Sequence, residues 1–189
     1  IVANQPVFTT FKYKAKKLLT SIYVQSPMFK KINILLTLLF FISFWLFHRG
    51  GEILGFLKNA ELAEKIRESK GDMSFLNTDL VTAVQLIDLV VISAQAGLLC
   101  LLGAIIFSLF ICRKRNYHWI NAFLALVLFI LFKWLNISMP QPLVELLNTP
   151  GTFLDGAGPF IINGGIRLFV GLLIFYLTFS KRFQNRHEV

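Results

Sequence analysis

Residues 80–112 form one run, LVTAVQLIDLVVISAQAGLLCLLGAIIFSLFIC, in which Asp88 is the only charged side chain. Wound as a helix at about 1.5 Å per residue, the run is about 50 Å long. A bilayer's hydrocarbon core is about 30 Å thick, so this helix crosses it with length to spare and must protrude, tilt or break. No water-soluble fold of 189 residues hides such a run together with the rest of this chain, which is 56% hydrophobic and holds 20 Phe. A soluble domain is about 45–50% apolar.

Three further apolar stretches, at about 32–48, 119–137 and 160–180, share this character. Gly50-Gly51 is expected to break the helix after the first, and Pro140 and Pro142 to end the third. Pro159 suits the first turn of the fourth. The pattern predicts an all-α membrane protein, a four-transmembrane-helix bundle forming one domain over residues 32–180, with outer segments at 49–79 and 138–159. The short link RKRNYH makes the second and third spans antiparallel neighbours.

Amphipathic stretches flank the spans. In residues 11–24, Phe11, Ala15, Leu18, Leu19 and Ile22 share a helical face that the lysines mostly avoid. This suits a helix on an anionic lipid surface, or simply a basic topogenic flank. Between the first and second spans, Ile53, Phe56, Leu57, Ala60, Ala63 and Ile66 recur at helical spacing, while Glu61, Glu64, Lys65 and Glu68 fall outside the stripe. A short extramembrane helix is expected there. Residues 77–79 supply N-cap chemistry for the second span. Leu143, Val144, Leu146 and Leu147 are expected to dip into the membrane interface.

Charge sets the orientation. The arm at 1–31 carries six Lys and no acid, the link at 113–116 three basic residues, and the tail at 181–189 Lys181, Arg182 and Arg186. With four spans these twelve lie on one side against five (Arg49, Lys58, Lys65, Arg67, Lys70) on the other. The positive-inside bias then puts both termini in the cytoplasm, and the expected location is a bacterial inner membrane. The net charge of +9 is explained by this placement, so nucleic acid is not an expected partner; anionic lipids at the inner face are.

Polar groups inside a membrane are costly and invite a functional reading. Counted up from the basic residue at each inner end, His48 lies about 25 Å along, Gln95 about 27 Å, Lys133 about 22 Å and Arg167 about 21 Å, with Asp88 higher, at about 37 Å. One residue from each span thus reaches a common layer. Asp88 joins it, pairing with Arg167 or Lys133, only if its helix tilts. The layer is either a basic pocket for an anion, such as a lipid phosphate or a carboxylate, or a set of separately snorkelling side chains. A second feature is the row Ala96, Cys100, Ala104 and Ser108, with Gly97 and Gly103 beside it. Small residues let helices approach closely, within this bundle or against another subunit. The glycines of residues 156–165 match no phosphate-binding spacing and read as a turn.

His48, His118 and His187 are not paired at ligand spacing, which argues against haem and other metals, and no cofactor is expected. No Ser-His-Asp set or carboxylate pair suggests an enzyme. The expected function is a non-enzymatic integral subunit with a structural or assembly role in a larger membrane complex, its partners other membrane protein subunits. The alternative is a small transporter or channel component that uses the polar layer.

Overall fold

The computed structural model describes residues 32–69, 80–115, 117 and 119–180. The basic arm, residues 77–79, His118 and the tail from 181 onward lie outside the described residues, and with them the expectations placed there.

All regular structure among the described residues is helical. Helix α1 spans Ile34–Gly55 and passes through a 3-10 turn, Phe56–Asn59, into α2, Ala60–Glu68. Then come α3 (Leu80–Lys114), α4 (Ile120–Trp134), α5 (Gln141–Asn148), a second 3-10 turn (Thr149–Phe153) and α6 (Gly158–Thr178). Three stretches, Ile34–Glu68, Ala83–Lys114 and Gly158–Thr178, are long and apolar enough to cross a membrane, while α4 is a shorter apolar helix. The outward faces of α3 and α6 stay apolar and exposed, as at Leu99, Ile106, Phe169 and Tyr176.

Helix α1 is the hub, packed lengthwise against α3, α6 and α4. The link RKRNYH therefore does not make α3 and α4 each other's main neighbour, because both lie principally on α1. Helix α4 runs parallel to α1. At their starts the Asn33 backbone N–H donates to Asn121 Oδ1 at 2.9 Å, and the Thr37 hydroxyl donates to the same oxygen at 3.1 Å. At their far ends Lys133 Nζ lies 3.5 Å from Glu52 Oε1. Helices α3 and α6 run the opposite way. The Ser43 hydroxyl donates to the Gly171 carbonyl at 3.0 Å, and Arg115 at the foot of α3 donates to the Phe179 carbonyl at the foot of α6 at 3.1 Å.

Gly50-Gly51 does not break α1. A Cβ on Gly51 would lie 2.6 Å from the Ala96 carbonyl oxygen and 2.8 Å from Cys100 Sγ. One on Gly50 would lie 2.9 Å from the Leu168 side chain, and one on Gly97 2.8 Å from the His48 carbonyl oxygen. Each mid-helix glycine costs roughly 1 kcal/mol of helix propensity. That loss is offset by the close backbone approach it permits, which places α1 flush against both neighbours.

The third apolar helix stops at Trp134, three residues before the expected end at 137. Asn136 adopts a left-handed φ of 52°. Its N–H donates to the Lys133 carbonyl at 3.1 Å and that of Ile137 to the Phe132 carbonyl at 2.9 Å. This is a Schellman stop with Asn in the left-handed position, so the helix ends before either proline is reached.

Two apolar clusters hold the helices. At the lower end, where α1 and α4 start, Phe40 packs on Phe44, Phe175 and Phe179 with ring centroids 5.5–6.1 Å apart, in the tilted and edge-on arrangements that aromatic quadrupoles favour. At the upper end Leu62 and Ala63 of α2 bury against Leu89 and Phe160, joined by Ile53, Phe56 and Ile66. The expected extramembrane stripe is therefore turned toward α3 and α6, apart from Leu57, which is exposed.

Candidate functional site: a basic cavity at the upper end

Helix α4 is about 22 Å long at its 15 residues, well short of α1 beside it. The chain then turns and lays α5 across the top. Bounded by α1, α6 and this roof lies a cavity of about 730 Å³. Its walls include Trp45 and Ile53 of α1, Met139, Val144 and Leu147 of the α4–α5 segment, and Phe160 of α6. Helix α5 is amphipathic: Val144 and Leu147 line the cavity, while Leu143 and Leu146 are exposed.

Arg167 lines the cavity from α6 and is 4% exposed. Its Nη1 donates to the Asn163 carbonyl at 2.9 Å and the Leu147 carbonyl at 3.3 Å, and its Nη2 to Asn148 Oδ1 at 2.8 Å. All three acceptors are neutral. No carboxylate among the described residues pairs with this guanidinium. Arginine has five N–H donors, so the three bonds leave two unused. Arg49 is close enough for its like charge to act on Arg167, which adds to the positive potential. On the same wall, the buried Asn163 Oδ1 has no hydrogen-bond partner.

Glu52 stands at the cavity's edge with its side chain 17% exposed. Arg49 Nη1 lies 2.7 Å from Oε2, while His48 Nδ1 at 3.4 Å and Lys133 Nζ at 3.5 Å approach Oε1. The histidine contact is long and lacks hydrogen-bond alignment, so the Arg49 pair is the firm one. Arg49 also lies 5.7 Å from the centroid of the Trp45 ring. Farther out, Arg67 pairs with Glu64 at 3.3 Å, and Glu64 accepts the Gly156 N–H at 2.7 Å.

The structure therefore gathers His48 and Lys133 around one carboxylate and sets Arg167 in the adjoining cavity. Asp88 and Gln95 are exposed on α3 and line no part of it. Neither Asp88–Arg167 nor Asp88–Lys133 pairs, because Asp88 is exposed on α3 while Lys133 lies at Glu52 and Arg167 is buried at the cavity. In the small-residue row, Ala104 and Ser108 are buried, and the Ala96 backbone and Cys100 side chain abut Gly51. A helix break at Gly50-Gly51 would part Glu52 from His48 and Arg49, so the three do not read as one cluster. The available signal was spacing: His48, Arg49 and Glu52 stand four and three apart, the separations at which helical side chains meet.

Chemically, the cavity can hold an anion. It offers unused guanidinium donors, a positive surplus and apolar walls, and the Ser93 hydroxyl on its rim is engaged with the Val90 carbonyl at 2.9 Å. Among the described residues no three His, Cys, Asp or Glu side chains gather as a metal site. No protein-family model, curated protein or solved structure matches this chain.

Proposed function

We propose that this chain is a four-span membrane protein with both termini in the cytoplasm, and that it works by non-covalent anion binding in its upper cavity, as a small transporter or carrier component. The observation that carries this reading is Arg167, a buried guanidinium that faces a cavity without a carboxylate partner. A buried charge is strongly unfavourable unless compensated. A bound anion supplies that compensation, and protein groups that already hold the guanidinium in place leave donors free for it. The alternating directions of α1, α3, α4 and α6 support four crossings. Lys133 near the top of short α4 can snorkel toward the headgroups. The basic arm would then meet anionic lipid at the inner face.

The test is rescue of a null strain at matched membrane abundance. Val144→Phe, which fills the cavity, and Arg167→Gln, which removes its charge, should each fail to restore the null phenotype. Full rescue by both removes the cavity from the function.

One observation favours the subunit reading instead. Only 28% of the spanning window of α3 is buried, against 56% for that of α1, and the exposed side of α3 carries Val84, Ile87, Val91, Leu98 and Leu102. Extraction in mild detergent followed by native mass measurement separates the two: a subunit comes out with stoichiometric partners, a carrier alone or with copies of itself.

A further inference from the structure

The size and walls of the cavity narrow the ligand class. We propose that it takes a single-chain amphiphile with an oxyanion head, the head seated on Arg167 and the chain lying along Trp45, Val144 and Leu147. This rests on reading the cavity as the working site.

Three observations converge on it. The first is charge. Arg167 is 4% exposed and bonded only to neutral acceptors, whereas Arg49, which also lines the cavity, is already paired with Glu52. A guanidinium presents its N–H groups as a fork matched to carboxylate and phosphate oxygens, and two of those N–H groups are free.

The second is volume. A lone inorganic oxyanion displaces only a few waters, each with about 30 Å³ of liquid volume. Most of a 730 Å³ cavity would then remain water against apolar walls. The volume falls inside the range of small-molecule pockets, roughly 300–1,000 Å³.

The third is the division of the lining. Arg167, Asn163 and Asn148 cluster where α6 meets the end of α5, whereas Trp45, Val144 and Leu147 bring apolar side chains to the lining from α1 and the roof. A polar head and an apolar body are thus both accommodated, as neither a sugar nor a simple ion requires.

Trp45 provides the readout. The chain has three Trp, and Trp119 and Trp134 are exposed, so a Trp119→Phe/Trp134→Phe background leaves Trp45 as the sole reporter. The full-length protein, purified in a non-ionic detergent, is titrated with 9,10-dibromostearate and with its methyl ester, whose bromines quench indole fluorescence on contact. Both partition into micelles, so their difference isolates the head group. The acid should reach half-quenching at a concentration at least tenfold lower than the ester. Arg167→Gln and Val144→Phe should each erase that preference while keeping the monodisperse elution profile of the parent.

Displacement of the quencher by oleate alone assigns a carboxylate source, and displacement by oleoyl lysophosphatidate alone a phosphate source; either supports the proposal. Equal quenching by acid and ester overturns it, as does a preference that survives both substitutions. Displacement by millimolar inorganic phosphate also overturns the amphiphile, in favour of a small oxyanion. If quenching fails while the rescue experiment still requires the cavity, the ligand class is wrong and the binding function stands.

Discussion

The two ends of the same helices handle buried polarity in opposite ways. At the lower end the buried polar groups are neutral and bonded within the protein. Asn121 Oδ1 receives the Asn33 N–H and the Thr37 hydroxyl, Ser43 donates to Gly171, and Thr178 donates to the Phe175 carbonyl at 2.6 Å. Close-packed rings fill the space around them. At the upper end one buried group, Arg167, carries a charge, a cavity lies beside it, and it retains donors without an acceptor. Neutral, fully bonded groups tie helices together at modest cost. An uncompensated charge beside open volume is a poor tie and a good receptor. The contrast separates a structural half from a binding half.

The largest test of that division lies where the halves meet. Gly51→Leu drives a side chain into the Ala96 backbone and Cys100, an overpacking that backbone movement alone can relieve. It should cost about 3 kcal/mol or more and abolish recovery of monodisperse protein. Gly165→Leu is its control. A Cβ there meets nothing within 4 Å, and the thermal midpoint in detergent should match the parent. Since leucine is the better helix former at both positions, equal damage from both would mean that added bulk anywhere on these helices, and not the α1–α3 contact, is what the glycines avoid.

Next comes the lower tie. Asn121→Leu leaves the Asn33 N–H and the Thr37 hydroxyl without their acceptor. Stranding buried donors costs roughly 1–3 kcal/mol, which scanning fluorimetry should record as a lowered midpoint that does not depend on salt. An unchanged midpoint would show that the lower end is not tied through Asn121.

These two sites also mark how far the sequence could be read. The apolar runs, their helical nature and the start of α6 at Pro159 follow from composition and local chemistry, which no distant residue needs to supply. Gly50-Gly51 could not be read correctly in isolation. Glycine weakens a helix and also admits a neighbour, and which effect wins depends on what lies opposite, here Ala96, Cys100 and Leu168. The stop at Asn136 was legible in principle, since Asn tolerates the left-handed cap, but the prolines that follow gave the stronger signal. For the candidate site, depth counting brings His48, Gln95, Lys133 and Arg167 to one layer, of which Gln95 is exposed on α3 and lines no part of the cavity. It could not find their partners. Glu52 is set apart from them by the expected break at the glycines, and two of the three acceptors of Arg167 are a backbone and an amide oxygen on a helix some twenty residues earlier, which have no sequence signature. Asp88, the most conspicuous charge in the longest run, is exposed, because α3 carries it on the side away from α1.

The carboxylate at the upper end sharpens the comparison through the sign of its effect. Glu52→Gln removes the negative charge shared by Arg49, Lys133 and His48. Arg49 and Lys133 are each about 40% exposed at the side chain and can turn toward water, so the stability loss should be near 1 kcal/mol and shrink with added salt. Anion binding should instead tighten several-fold, since a competing carboxylate has left the edge of the cavity. The dibromostearate titration checks this. Weaker binding in Glu52→Gln would mean that Glu52 positions Arg49 for the ligand and does not compete with it.

The smallest effect on stability is expected at the residue that matters most for binding. Arg167→Met keeps an unbranched apolar stem and discards a buried charge together with three bonds to neutral acceptors. Replacing buried charge by apolar volume is often neutral or stabilising, so without ligand the thermal midpoint should stay within the equivalent of about 1 kcal/mol of the parent. Oleate should raise the midpoint of the parent and leave that of Arg167→Met unmoved. Asn121→Leu, measured alongside, should show the reverse pattern, with a lower midpoint but an intact oleate increment. If Arg167→Met instead falls as far as Asn121→Leu and the parent gains nothing from oleate, Arg167 is a tie between α6 and α5 like those at the lower end, and the two halves of the molecule do not differ in kind.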